Sequence, residues 1–170
     1  FLCACTFNYF DLVKLFLNTI NINIDTINQK ALKLAGSRNN NEILKLLFEQ
    51  KEIRISTDCF KDCFKLIEVS IPSSVKTIGK NAFQNCFRLK KITIPSTVTS
   101  IEGNAFACCS SLSEIEIPST VNVIGENAFY ECTSLKEITI PSCLTSISAN
   151  TFNGCTLLSK IEIPSSETLI

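Results

Sequence analysis

Between Ile55 and Leu169 the apolar and polar positions recur with a fixed 23-residue period. Phe60, Phe83, Phe106, Phe129 and Phe152 form one series; Cys63, Cys86, Cys109, Cys132 and Cys155 form a second. Leu66, Leu89, Leu112, Leu135 and Leu158 form a third, and Pro72, Pro95, Pro118, Pro141 and Pro164 a fourth, with no insertion in any of them. In the second copy the recurring apolar positions are Ile78, Ala82, Phe83, Cys86, Leu89, Ile92, Ile94 and Val98. Ile92 and Ile94 alternate with Lys91 and Thr93, the period of a half-buried strand. Pro95 has no N–H to donate to a ladder, so the strand ends there. Val75–Ile78 predicts a short strand or turn, and the segment after it predicts about one helical turn around Ala82 and Phe83. A unit this short cannot bury its own apolar face. Stacked copies can, each strand pairing with its equivalent in the next, so that Phe, Cys and Leu run in ladders through about five copies.

Leu89-Lys90-Lys91-Ile92-Thr93-Ile94 has the spacing L-x-x-L-x-L. Together with "IPSTVNVIGENAFYECTSLKEITIPS" (Ile117–Ser142), it resembles the BspA-like, surface-antigen class of leucine-rich repeats. The resemblance covers Ile55 to Ile170. It implies a right-handed solenoid with a strand-lined concave face, and binding or adhesion rather than catalysis.

Residues before Glu52 do not follow this beat. They carry a weaker echo at an offset of 31: Ala4 matches Ala35, Asn8 matches Asn39, Asp11 matches Glu42 and Lys14 matches Lys45, while Leu12, Val13 and Leu15 match Ile43, Leu44 and Leu46. These are helical apolar patterns behind polar turns. Asn40 or Asn41 is suited to cap the helix that follows, with Glu42 favourable in its first turn. Helix, turn, helix and a connecting finger (Thr19–Ile22, then Asn23–Gln29) resemble ankyrin repeats. Where that family carries T-P-L-H-x-A, this chain has Lys30-Ala31-Leu32-Lys33-Leu34-Ala35, keeping only the Leu and the final Ala. The same helices also read as a plain cap over an apolar end of the stack. The expected fold is therefore an α/β repeat protein: an ankyrin-like helical segment over residues 1–52, then a leucine-rich repeat solenoid of 23-residue units over 53–170.

Composition narrows the function. Sixteen basic residues balance sixteen acidic ones, which gives no overall basic field for nucleic acid. No apolar run approaches the length of a membrane span. The opening "FLCACTFNYFDLVKLFLN" has helical spacing and no basic leader or cleavage site. The lack of an initiator Met and the end inside a repeated phrase predict a fragment of a longer protein. Ten cysteines and no histidine form no paired C-x-x-C, so no metal and no cofactor is expected. Stacked parallel side chains hold Cβ atoms roughly 4.8 Å apart, beyond the ~3.8 Å a disulfide prefers, so the cysteine ladder is expected as reduced, buried thiols. That favours a reducing compartment, as does the lack of any Asn-x-Ser/Thr. The surface-antigen resemblance points the other way.

Without histidine there is no Ser-His or Cys-His pair, and the glycines (Gly79, Gly103, Gly125, Gly154) make no phosphate loop; they are expected to serve backbone geometry. Glu114 and Glu116 share one face of a strand. The equivalent positions elsewhere hold Lys and Thr, as a solvated surface does. No catalytic residue is expected.

The candidate partner-binding face is the row of outward strand positions: Glu68, Ser70, Lys91, Thr93, Glu114, Glu116, Glu137, Thr139, Lys160 and Glu162. Five Glu against two Lys make it mildly acidic, suited to a polar or basic protein partner, although the same row also reads as an ordinary solvated face. The function expected is non-enzymatic protein–protein interaction; the alternative is a cell-surface adhesin or antigen fragment. At the far end Glu167 replaces the apolar residue of Val75, Val98, Val121 and Leu144, so the pattern breaks there. Phe106, at the middle of its ladder, should lose about 3–5 kcal/mol of stability on truncation to Ala. Lys91→Ala should be nearly neutral. Equal urea midpoints for the two variants would refute the placement.

Overall fold

The computed structural model describes residues 1–7, 9–19, 24–50, 53–144 and 146–163. Four helices come first: α1 (Leu2–Thr6), α2 (Phe10–Thr19), α3 (Ile24–Ser37) and α4 (Asn41–Phe48). Seven short strands follow: β1 (Glu68–Ser70), β2 (Thr77–Ile78), β3 (Lys91–Thr93), β4 (Ser100–Ile101), β5 (Val123–Ile124), β6 (Glu137–Thr139) and β7 (Lys160–Glu162). All pair in parallel with the equivalent strand of a neighbouring coil: Glu68 with Lys91, Thr77 with Ser100, Ser100 with Val123, and Glu137 with Lys160. Each coil of the chain therefore lies directly over the one before it.

The phenylalanine column forms the spine. Phe60, Phe83, Phe106, Phe129 and Phe152 stack ring on ring, with centroids 5.0, 5.3, 5.4 and 5.7 Å apart and ring planes within 10° of parallel. The first four are fully buried, with Leu66, Leu89, Leu112 and Leu135 beside them. Phe152, Cys155 and Leu158 of the last coil are only partly covered.

Around this spine the structure departs from the expected helical turn. No residue of the stack is helical among those described. Two residues per coil take left-handed backbone instead: Asp58 and Asp62, Asn81 and Asn85, Asn104 and Cys108, Asn127 and Glu131, Asn150 and Gly154. This reverses alternate peptides. Ala82, Gln84 and Cys86 donate N–H groups within their own coil, to Gly79, Asn81 and Phe83. Asn81, Phe83 and Asn85 donate to Gly103, Ala105 and Ala107 of the next coil, at 3.0, 2.7 and 2.9 Å. A helix would have turned every N–H inward and left the stack without this ladder. Asn and Asp are the non-glycine residues that enter left-handed backbone most readily, and most of these positions hold them. Two of them also tie neighbouring coils, Asn81 to Asp58 at 3.1 Å and Asn85 to Asp62 at 2.8 Å.

Of the glycines, only Gly154 has positive φ. Gly79 serves proximity instead: a Cβ there would lie 2.6 Å from the Ser56 carbonyl carbon, where its N–H bonds Ile55 O at 2.7 Å.

The expected pairing of every outward strand with its successor is also modified. β1 pairs with β3, β6 with β7, and Glu114 bridges to Glu137, but β3 does not pair with the 114–117 segment. At that junction β2, β4 and β5 still form one sheet, and the turn ladder continues through Asn81, Phe83 and Asn85. Two hydrogen-bonded sides suffice to hold the coils in register while the third side opens.

The helices close the first coil. The offset of 31 holds in three dimensions: α2 starts at Phe10 and α4 at Asn41, and Tyr9 N–H bonds Ala4 O as Asn40 N–H bonds Ala35 O. Asn40 is the N-cap, accepting from Ile43 N–H at 3.0 Å. Left-handed Asn39 ends α3, and its side chain accepts from Ile67 N–H of the first coil at 2.8 Å. Cys63 reaches Lys33 O in α3, and Gln29 donates to Arg54 O. Ile20–Asn23 of the expected finger, the junction at Lys51 and Glu52, and the pattern break at Glu167 lie outside the described residues.

Gly36 of α3 rests on Phe60: an added Cβ would lie 2.6 Å from Phe60 Cδ1 and 3.3 Å from Cys63 Sγ. Phe60 is fully buried and stacked on Phe83, which resists its displacement. Gly36→Val should therefore lower stability by about 1–3 kcal/mol through overpacking, read as a lower urea midpoint. An unchanged midpoint would show that the helices do not seat on the first coil.

Candidate functional site

All ten outward strand residues are exposed. Val69, Ile92, Ile115 and Ile138 between them are buried, because alternate side chains of a strand point to opposite faces. Lys91, Thr93, Glu114, Glu116, Glu137, Thr139, Lys160 and Glu162 line an open depression of about 830 Å³. Glu68 and Ser70 line a second one of about 280 Å³, which shares Lys91 and Thr93 with the first. The predicted row thus lines two adjoining depressions that share Lys91 and Thr93.

The second depression adds residues that the strand pattern does not reveal: Asn41, Leu44, Lys45 and Phe48 of α4. They lie upstream of every strand and outside the 23-residue beat. The offset of 31 aligned α4 with α2 but carried no sign of which face meets β1. Phe48 supplies an aromatic at the groove end, where the strand row has none.

The charges are unevenly satisfied. Lys160 Nζ lies 2.6 Å from Glu162 Oε1, and Thr139 Oγ1 donates to Glu162 Oε2 at 3.3 Å. Hydrogen bonding to each other holds the Lys160 ammonium above, and the Glu162 carboxyl below, their ordinary values. Asn41 Nδ2 donates to Glu68 at 3.3 Å. Among the described residues Lys91, Glu114 and Glu116 make no side-chain hydrogen bond or ion pair within the chain. Glu114 and Glu137 lie opposite each other, two like charges in one bridge. The middle of the groove is therefore an unpaired acidic strip next to one unpaired lysine.

The family model described as a BspA type leucine-rich repeat region matches residues 53–170, in six copies where the prolines suggest five. The chain belongs to the BspA-type leucine-rich repeat family. The family is generally non-enzymatic, and leucine-rich repeat domains generally bind proteins. Of the solved structures, a leucine-rich cell surface protein of Faecalibacterium prausnitzii is 39% identical over 68% of this chain and 30% of its own, with a TM-score of 0.63. A leucine-rich repeat protein of Bacteroides ovatus is 37% identical over 66% of this chain and 29% of its own, with a TM-score of 0.62. The leucine-rich repeat protein of T. pallidum is 28% identical over 65% of this chain and 62% of its own, with a TM-score of 0.52. This chain spans less than a third of the first two. No curated protein matches it. The match begins at residue 53 and leaves the four helices outside it.

The cysteine column has a defined task. Cys86, Cys109, Cys132 and Cys155 each donate S–H to the phenylalanine carbonyl of the previous coil: Phe60, Phe83, Phe106 and Phe129, at 3.1–3.2 Å. Cys63, with no coil before it, uses Lys33 O of α3 at 3.6 Å. Exposed Cys143 does the work that Thr97 and Thr120 do in their coils: it donates to Val121 O as they donate to Val75 O and Val98 O. Burial raises the column thiols; Cys63 moves from its ordinary 9.0 to about 12, with Lys33 pulling it partly back. A thiolate is the nucleophile and the metal ligand, so these are poor candidates for either role. No helix among the described residues is long and apolar enough to cross a membrane.

A pH dependence follows. The folded thiol keeps its proton above pH 9 while the unfolded thiol loses it, so the unfolded state binds fewer protons and gains as pH rises. Stability should be unaffected by these groups below pH 9 and fall between 9 and about 12. Urea midpoints measured from pH 7 to 11 should turn downward near 9; a flat profile would remove the burial of the column.

Proposed function

We propose that this chain is a non-enzymatic protein-recognition module, and that its partner lies along the outward strand row: Glu68, Ser70, Lys91, Thr93, Glu114, Glu116, Glu137, Thr139, Lys160 and Glu162. The observation that carries this is the unpaired acidic strip in an 830 Å³ depression. A folded chain gains nothing from Glu114 and Glu137 placed side by side, whereas a basic partner does. On this proposal residues 53–170 form a right-handed solenoid of 23-residue units with the strand row on its concave side. Residues 1–52 form two ankyrin-like units, α1–α2 and α3–α4, that also cap it. The repeated start of α2 and α4 and their matched turns support that assignment. The 39% identity to a protein described as a cell surface protein favours a second reading, an adhesin or antigen segment displayed on a cell. Both place the partner in the same groove.

Panning a random twelve-residue peptide phage library against the chain tests this. Recovered peptides should be rich in Lys and Arg and should weaken several-fold between about 50 and 500 mM salt, as screening shortens the reach of exposed charges. They should not bind the Glu114→Lys/Glu116→Lys/Glu137→Lys variant, whose melting curve should match that of the parent chain. Peptides that bind parent and variant alike would sink the assignment.

A further inference from the structure

The neutral total conceals a polar stack. Residues 53–98, the first two coils, hold eight basic residues against three acidic; residues 99–163 hold two against seven. One lateral edge, away from the strand groove, shares in this reversal: Lys61, Lys65 and Arg88 lie in its first two coils, beside Asp62, and Glu131 in its fourth. There Phe64 and Phe87 stack in the open, ring centroids 5.5 Å apart and 7° from parallel, and 50% and 43% exposed. Each is followed by an exposed cation, Lys65 and Arg88. The same line continues through Ser110, Thr133 and Thr156, whose hydroxyls each donate at 3.4 Å to the carbonyl one coil back, so it stays straight through all five coils. At its far end the edge carries Tyr130, Glu131 and Leu157, the last 56% exposed. At its middle it carries only small residues, Cys108, Ser110 and Ser111.

A ladder whose charge reverses about its centre is complementary to itself turned end for end. The geometry points to a second copy of this chain as the occupant of this edge, docked antiparallel about a two-fold axis at the third coil. Coil two then meets coil four and coil one meets coil five. Arg88 faces Glu131 of the partner, Phe87 faces its Tyr130, and Phe64 faces its Leu157. By symmetry each contact occurs twice. Small side chains at the axis let the backbones approach. Charge complementarity supports this occupant. Among the described residues neither Arg88 nor Glu131 has an ion pair within its own chain, and Glu131 is held only by Cys108 at 3.6 Å and the Tyr130 hydroxyl. The edge is short, five coils at roughly 4.8 Å each, and an interface this small makes the dimer a transient one. It leaves the strand groove free, and so stands independently of the function proposed above.

Sedimentation velocity of the 170-residue chain, from about 10 µM to about 500 µM, tests this at salt concentrations of about 50 and 500 mM. A monomer–dimer equilibrium that weakens at least several-fold at high salt is expected. Arg88→Glu and Glu131→Arg should each weaken it about tenfold or more, and the double variant, with the two charges exchanged, should restore it. Phe87→Ser should also weaken it without unfolding the chain, because Ser110 already occupies that column. A chain monomeric throughout would overturn the proposal, leaving the edge to a different, acidic partner. Dimers indifferent to Arg88→Glu and Phe87→Ser would overturn it too, and species larger than dimers would exclude the two-fold arrangement.

Discussion

The structure depends on hydrogen bonds between coils, made by peptides that a left-handed residue has turned outward. Each coil is mostly irregular backbone, and buried N–H and C=O groups must find partners. Here Asn81, Phe83 and Asn85 direct theirs to the next coil, and every junction up to the last coil repeats the arrangement. The thiol ladder completes it, because each Phe carbonyl accepts from the Cys of the following coil as well. The phenylalanine stack supplies apolar burial along the same line. Hydrogen bonding and apolar packing thus impose the same spacing, so a one-residue insertion would disrupt both.

Among the described residues the interior is filled by ladders of Phe, Leu, Ile and protonated Cys. What varies from coil to coil is the outward set: Glu, Lys or Thr on the strand row, Phe or Ser on the lateral edge. A regular frame with variable outward positions suits recognition, since outward residues can change without disturbing the ladders. The opened junction between β3 and the 114–117 segment shows how much slack the frame allows: two of three hydrogen-bonded sides hold register there.

The helical segment shows how a repeating stack is ended. The first coil has no predecessor to accept from Cys63 or to cover Phe60. α3 provides both, with Lys33 O for the thiol and Gly36 against the ring. Asn39 combines two tasks, ending α3 in left-handed backbone and receiving Ile67 N–H. The cap therefore meets the stack through the same groups that coils use with one another.

The register, the ladders and the exposure of the outward row were legible in the sequence, because an exact period carries the same side chain to the same environment in each coil. The offset of 31 likewise revealed the paired helices. Tertiary structure alone decided the rest. That the Ala82–Phe83 segment forms left-handed turns rather than a helix depends on where Phe83 N–H finds an acceptor, and the acceptor, Ala105 O, belongs to another coil. The place of Phe48 and Lys45 at the groove, and of Gly36 on Phe60, depends on the angle at which α3 and α4 meet the first coil. A period encodes contacts between equivalent residues; contacts between unlike segments have no period, and only packing fixes them.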